Sequence, residues 1–70
     1  MTKNKIKEFG LNLKKLRLEK KLSQEELANL SGLHRTYIGC VERGEKNITI
    51  KNLYKISKAL NINIKGLFID

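Results

Sequence analysis

The amino-acid sequence predicts an all-α domain of five short helices, and three observations carry that prediction. Apolar residues recur at intervals of three and four along the chain, as in Ile6, Phe9, Leu13 and Leu16, which is the spacing of one helix face. Helix punctuation brackets these runs, with Ser23 and Thr49 ahead of them and Gly32 and Gly44 behind. These residue types accept hydrogen bonds at N-caps or take a positive φ just past a helix end. There is no proline, no Gly/Ser linker and no internal repeat, so the chain reads as one unit, residues 1–70.

The helices are expected at about 5–19, 24–31, 35–43, 50–60 and 63–68. Met1 to Lys5 is polar and lysine-rich, and is expected to fray. In the first helix Lys14 and Lys15 form a solvated fringe, with Lys20 and Lys21 beyond its end. Arg17 instead falls between the directions of Ile6 and Leu13, inside the apolar stripe, where an unpaired charge is costly.

The second helix opens on Ser23-Gln24-Glu25-Glu26, a capping box in which the Ser23 hydroxyl accepts from the Glu26 amide and the Glu26 carboxylate accepts from the Ser23 amide. Leu27 and Leu30 are expected to face inward, and Ala28 is small enough for a second helix to cross closely. Gly32 then supplies the positive φ of a sharp turn. Two helices joined by so short a turn form a helix-turn-helix.

At about 100° per residue, the third helix places Ile38, Val41 and Glu42 on one side. Thr36, Gly39, Cys40 and Arg43 fall on the other, flanked at the amino end by Arg35 and Tyr37. A face with guanidinium, hydroxyl and phenol groups and little bulk at its centre suits a DNA major groove, where base edges present donors, acceptors and methyl groups. Glu42, on the inward side, repeats the anomaly of Arg17 with the opposite sign. The expectation is a structural ion pair between the first and third helices.

The fourth helix begins after Thr49 and is expected to turn Ile50, Leu53, Ile56 and Leu60 inward. Lys46, Asn47, Lys51, Asn52 and the first-turn amides make its amino end suited to phosphate, and Gln24 holds the equivalent place on the second helix. The two helix starts flank the third helix as clamps on either side of a groove would. In the last segment Asn63 is a candidate cap for the fifth helix. Ile62, Ile64, Leu67, Phe68 and Ile69 offer more apolar surface than so small a domain readily covers. Ile62, Ile64 and Phe68 are therefore candidate residues of a homodimer interface, while Leu67 and Phe68 are also candidates to close the core.

A chain of seventy residues buries only about 60% of its unfolded surface, so its core is small. A net charge of +8 and a pI near 9.9 imply an anionic partner, and for a basic helix-turn-helix that partner is double-stranded DNA. The single cysteine cannot form an internal disulfide and no secretory signal is evident, which fits an intracellular, reducing compartment such as the cytoplasm. No apolar run approaches the ~20 residues of a membrane span. Catalysis and a zinc site lack support, because Cys40 and His34, the one thiol and the one imidazole, lie far apart around the helix with no third partner. No cofactor, metal or small-molecule substrate is expected. Cys40 projects toward the groove side, where oxidation would obstruct DNA.

With these residues placed, the chain resembles the Cro/repressor-type helix-turn-helix family, and within it the controller proteins of bacterial restriction-modification systems. The likeness covers about Ile6 to Leu60. The broad pattern is carried by Gln24, Ala28, Gly32, Leu33, Ile38, Val41 and Glu42, and the narrower one by Leu33-His34-Arg35-Thr36-Tyr37-Ile38, Val41-Glu42-Arg43 and Asn47-Ile48-Thr49-Ile50-Lys51. The resemblance implies a compact five-helix, lambda-repressor-like domain and a symmetric homodimer on paired half-sites near a promoter. It also implies control of the protein's own operon together with an endonuclease gene. By the same resemblance Arg35, Thr36 and Tyr37 contact bases, Lys46, Asn47 and Asn52 contact the backbone or neighbouring bases, and an Arg–Glu pair joins the helices.

Two positions depart from the pattern. His34 stands where the family usually has Ser, Asp or Asn as helix cap; it is a weaker capping type, and when protonated could meet phosphate. Gly39-Cys40 stands where controller-like chains tend to read Ser-Gly, which removes a hydroxyl from the groove face and costs about 1 kcal/mol of helix propensity relative to alanine. The candidate DNA-binding set is Gln24, Arg35, Thr36, Tyr37, Gly39, Arg43, Lys46, Asn47 and Asn52. An antitoxin-type interaction module that also binds its promoter, or a phage-type repressor, shares these features and would be told apart by neighbouring genes.

Overall fold

Thr2 caps the first helix: its hydroxyl accepts from the Lys5 amide at 3.2 Å, and α1 runs Lys3–Glu19. The structure is a computed structural model that describes residues 2–68. The expected frayed start is thus corrected from Lys3 onward, because the hydroxyl satisfies an amide that the first turn leaves without a partner. Lys21, at φ 59, turns the chain into α2, Gln24–Ser31. Both halves of its capping box are made, Glu26 N–H donating to Ser23 Oγ at 3.0 Å and Ser23 N–H to Glu26 Oε1 at 2.8 Å. Gly32, at φ 74, ends α2 in the left-handed region, and α3 follows as Arg35–Glu42. The helix α4, Ile50–Leu60, is capped by Thr49 and closed by Asn61 at φ 56.

The fifth element is a 3₁₀ segment, Ile64–Leu67, in place of the α-helix expected at 63–68. Its first bond is of the three-residue kind, Gly66 N–H to Asn63 C=O at 2.8 Å, and Gly66 is a poor residue on which to extend a helix. Four residues do not offset the cost of nucleating an α-helix, so the tighter turn prevails. Asn12 of α1 holds the segment, donating to the Leu67 carbonyl at 2.7 Å.

The core is a single apolar cluster to which every element contributes. Leu13, Leu27, Ile38, Val41, Ile56, Leu60 and Leu67 are fully enclosed, with Phe9, Ala28, Ile48 and Leu53 around them. Two residues expected inside are outside, Leu30 at 60% and Ile50 at 70% exposure. The buried arc of α2 is set by Leu27, Ala28 and Ser31, whose mean direction lies roughly 100° from Leu30 at the helical angle per residue. Ile50 lies similarly at the margin of the arc that Leu53, Ile56, Ser57 and Leu60 define. Ile69 and Asp70 lie outside the described residues.

Gly10 fixes how closely α1 approaches α3. A Cβ there would sit 2.4 Å from the Val41 carbonyl oxygen and 2.6 Å from that of Glu42. The carboxyl end of α3 therefore rests directly on the backbone of α1.

Candidate nucleic-acid interface

The third helix is held from below and from both ends. Ile38 and Val41 anchor it in the core, while Glu42 turns inward to Arg17, which donates through Nε to Oε2 at 2.7 Å and through Nη2 to Oε1 at 3.1 Å. Arg17 Nη1 also donates to the Leu22 carbonyl at 2.7 Å, and Gln24 Nε2 donates to Glu42 Oε1 at 3.1 Å. Each residue of the pair is 6% exposed, so two opposite charges are enclosed with nearly every polar atom matched, the condition under which enclosure is tolerated. At the amino end His34 does cap: its Nδ1 accepts from the Thr36 amide at 3.1 Å. The acceptor role requires a bare Nδ1, which places the ring proton on Nε2.

A shallow groove lies between the start of α2 and the outer side of α3. It is lined by Ser23, Gln24, Glu25, Arg35, Thr36, Gly39 and Arg43, with Arg17 at its floor. Five of the candidate DNA-binding residues meet here. Arg35 and Thr36 are exposed. Gln24 is half-buried, its amide nitrogen committed to Glu42 and its oxygen free to accept. Gly39 is buried between the side chains of Arg43 and Gln24, so it offers room rather than a contact.

The other candidates stand elsewhere. Lys46 and Asn47 are exposed on the loop after α3, and Asn52 is half-buried in the first turn of α4. Asn47 Oδ1 accepts from the Ile48 amide at 3.2 Å. Tyr37 departs most from its expected place beside the groove face. Its ring packs against the core, its hydroxyl is buried without a partner, and Lys46 Nζ lies 6.0 Å from the ring centroid. At about 100° from Ile38, Tyr37 lies at the edge of the buried arc of α3, from which its long ring reaches the core.

Two carboxylates on this surface were not among the expected site residues. Glu25 Oε2 stands 3.6 Å from Arg35 Nη1, and Glu45 Oε2 accepts from Arg43 Nε at 3.0 Å. That hydrogen bond and the Glu45 charge raise the Arg43 pKa above its usual value, and the same bond holds the Glu45 carboxyl below the usual carboxylate range. Neither pair follows a helical i, i+4 spacing, so no sequence rule points to them.

Of the candidate dimer residues, Phe68 is 44% exposed and stacks at a tilt on Phe9, ring centroids 5.5 Å apart. Ile62 and Ile64 are half-buried and packed on the core. Among the described residues no three His, Cys, Asp or Glu side chains come together as a metal site would need. No helix among them is long and apolar enough to cross a membrane.

Comparison with known proteins places this geometry. The control protein C.BamHI of Bacillus amyloliquefaciens is 47% identical over 68 residues, 96% of this chain and 84% of that one. The control protein C.SmaI of Serratia marcescens is 52% identical over 56 residues, 80% of this chain and 67% of that one. The crystal structure of the restriction-modification controller protein C.AhdI from Aeromonas hydrophila superposes with a TM-score of 0.89 at 49% identity, covering 90% of this chain and 96% of that one. C.Esp1396I, solved bound to a 25 base pair operator site, superposes at 0.77 with 45% identity over 83% of this chain and 76% of its own. Residues 13–67 match the Helix-turn-helix family HTH_3, and the chain belongs to that family, in which it is similar to restriction-modification controller proteins.

Proposed function

We infer that the protein is a sequence-specific double-stranded DNA-binding transcriptional regulator of the controller type, acting in the cytoplasm as a homodimer on a pseudo-palindromic operator and without enzymatic activity. The observation that carries this reading is the division of α3: Ile38, Val41 and Glu42 are enclosed while Arg35 and Thr36 remain exposed on its outer side. The kinship with a controller protein solved on its operator supports it. In a symmetric dimer, two such helices would enter successive major grooves about 34 Å apart. The exposed ring of Phe68, in the same terminal segment as the half-buried Ile62 and Ile64, supports placing the dimer contact there.

Arg35 is the residue assigned to read a guanine, through a bidentate pair with its O6 and N7. Thr36 tunes the neighbouring step, and Tyr37 contributes the edge of its ring rather than its enclosed hydroxyl. Gln24, Lys46, Asn47 and Asn52 hold the flanking phosphates. Selection of bound fragments from random duplexes tests the reading. Arg35→Ala is expected to lose about 1 to 3 kcal/mol and to relax preference at one position of each half-site. Lys46→Ala should weaken all sequences alike and flatten the salt slope by about one unit. An unchanged site preference in Arg35→Ala would remove readout from that residue.

A further inference from the structure

All three arginines of the chain face a carboxylate. Arg17 is buried against Glu42, Arg35 stands 3.6 Å from Glu25, and Arg43 donates to Glu45 at 3.0 Å. Among the described residues Lys5, beside Glu8 at 3.3 Å, is the one lysine so placed. The lysines thus give the surface its free positive charge, while the arginines are individually partnered.

The Arg43 contact differs from a chance meeting of surface charges. Glu45 engages Nε, the inner edge of the guanidinium, and leaves both terminal nitrogens outside the pair. Nη2 lies 3.6 Å from Cys40 Sγ, and Nη1 lies over Gly39, where an added Cβ would be 3.1 Å away. The guanidinium is laid back along the outer side of α3, seated on a residue with no side chain and held by the carboxylate two positions on. In this attitude the terminal fork gives one N–H to the weak thiol acceptor of Cys40 and keeps its other N–H donors for a bidentate partner. The pair as a whole carries no net charge, so it adds little to the attraction that every duplex exerts on a cation.

We propose that Glu45 is a positioning residue: it converts Arg43 from a phosphate-seeking charge into a second base-reading group on α3, and so widens the gap between operator and random DNA without touching DNA itself. The proposal rests on the DNA-binding reading above. It also gives Gly39 a purpose, since a larger residue would lift the guanidinium off the helix.

The test uses the full chain, with anisotropy titrations of a selected operator duplex and a random duplex of equal length over a range of salt. Glu45→Gln should weaken operator binding by about tenfold, toward the lower end of what a bidentate arginine supplies. It should strengthen random-duplex binding and steepen that salt slope by about 0.9, because the released guanidinium takes a phosphate. Arg43→Lys keeps the charge without the fork, so it should weaken operator binding comparably, and adding Glu45→Gln to it should change the operator no further. Glu45→Gln strengthening both duplexes by the same factor would reduce Glu45 to a repulsive charge and overturn the proposal. So would independent effects of the two substitutions on the operator. Wild type that distinguishes no selected duplex from a random one would overturn the DNA-binding reading itself, and the proposal with it.

Discussion

Arg17→Met is the substitution with the largest expected consequence for folding. It strips the Glu42 carboxylate of both guanidinium bonds, leaving only Gln24 Nε2 at 3.1 Å, and it leaves the Leu22 carbonyl without the donor now 2.7 Å away. Breaking an enclosed pair from one side costs about 3 to 5 kcal/mol, because the surviving charge stays buried and uncompensated. At about 0.05 to 0.15 kcal/mol per residue, a domain of this length has roughly 4 to 10 kcal/mol in all. The single variant should therefore lose roughly half of its stability, and its urea midpoint should fall in proportion. Glu42→Leu should behave similarly, orphaning the guanidinium instead. The double variant Arg17→Met with Glu42→Leu leaves neither charge behind and should recover most of the loss, giving a coupling of at least about 2 kcal/mol. Urea unfolding followed by circular dichroism measures all four corners of the cycle. Single losses below about 1 kcal/mol with no coupling would show that both side chains reach water and that the reasoning is mistaken.

Two further substitutions probe other parts of the frame. Gly10→Ala should destabilise by about 1 to 3 kcal/mol in the same assay despite the better helix propensity of alanine, because the obstructing atoms are backbone carbonyls that cannot rotate away. The Ser23 amide, with a smaller contribution from the Ser23 hydroxyl, holds the Glu26 pKa below its ordinary value of 4.5. A lowered carboxylate pKa gives stability that is fully present above the unfolded value and lost as pH falls through the folded one. The stability difference between wild type and Glu26→Gln should hence be constant at neutral pH and shrink below about pH 4.5, and a difference that is flat across that range would remove the charge from the box.

Much of this was legible from residue types, and the failures share a cause. Ser23 and Glu26 announce the start of α2 because both groups of the box are local, and Gly32 marks its end because one backbone conformation favours that residue. Arg17 and Glu42 pointed to each other because a charge on an apolar arc needs a partner. Leu30 and Ile50 misled because periodicity finds an apolar arc but not its centre, and in helices of two or three turns the neighbours cover only part of it. Tyr37 misled for the converse reason, since a ring at the arc's edge packs inward when space exists. Gly10 left no trace in the pattern, for a close approach is a property of two elements and not of one. Glu25 and Glu45 were invisible as arginine partners because their pairings depend on how a turn and a loop return beside α3.

That close approach of α1 has a consequence for pointing accuracy. A helix of only two turns has little length along which to be gripped, so it is prone to roll about its own axis, and a roll of 10–20° is enough to spoil the aim of side chains that must meet a partner. With two of its carbonyls bedded against a bare backbone, α3 has a stop on one flank that no flexible side chain could provide. The setting of its outer residues is thereby inherited from the longest of the described helices.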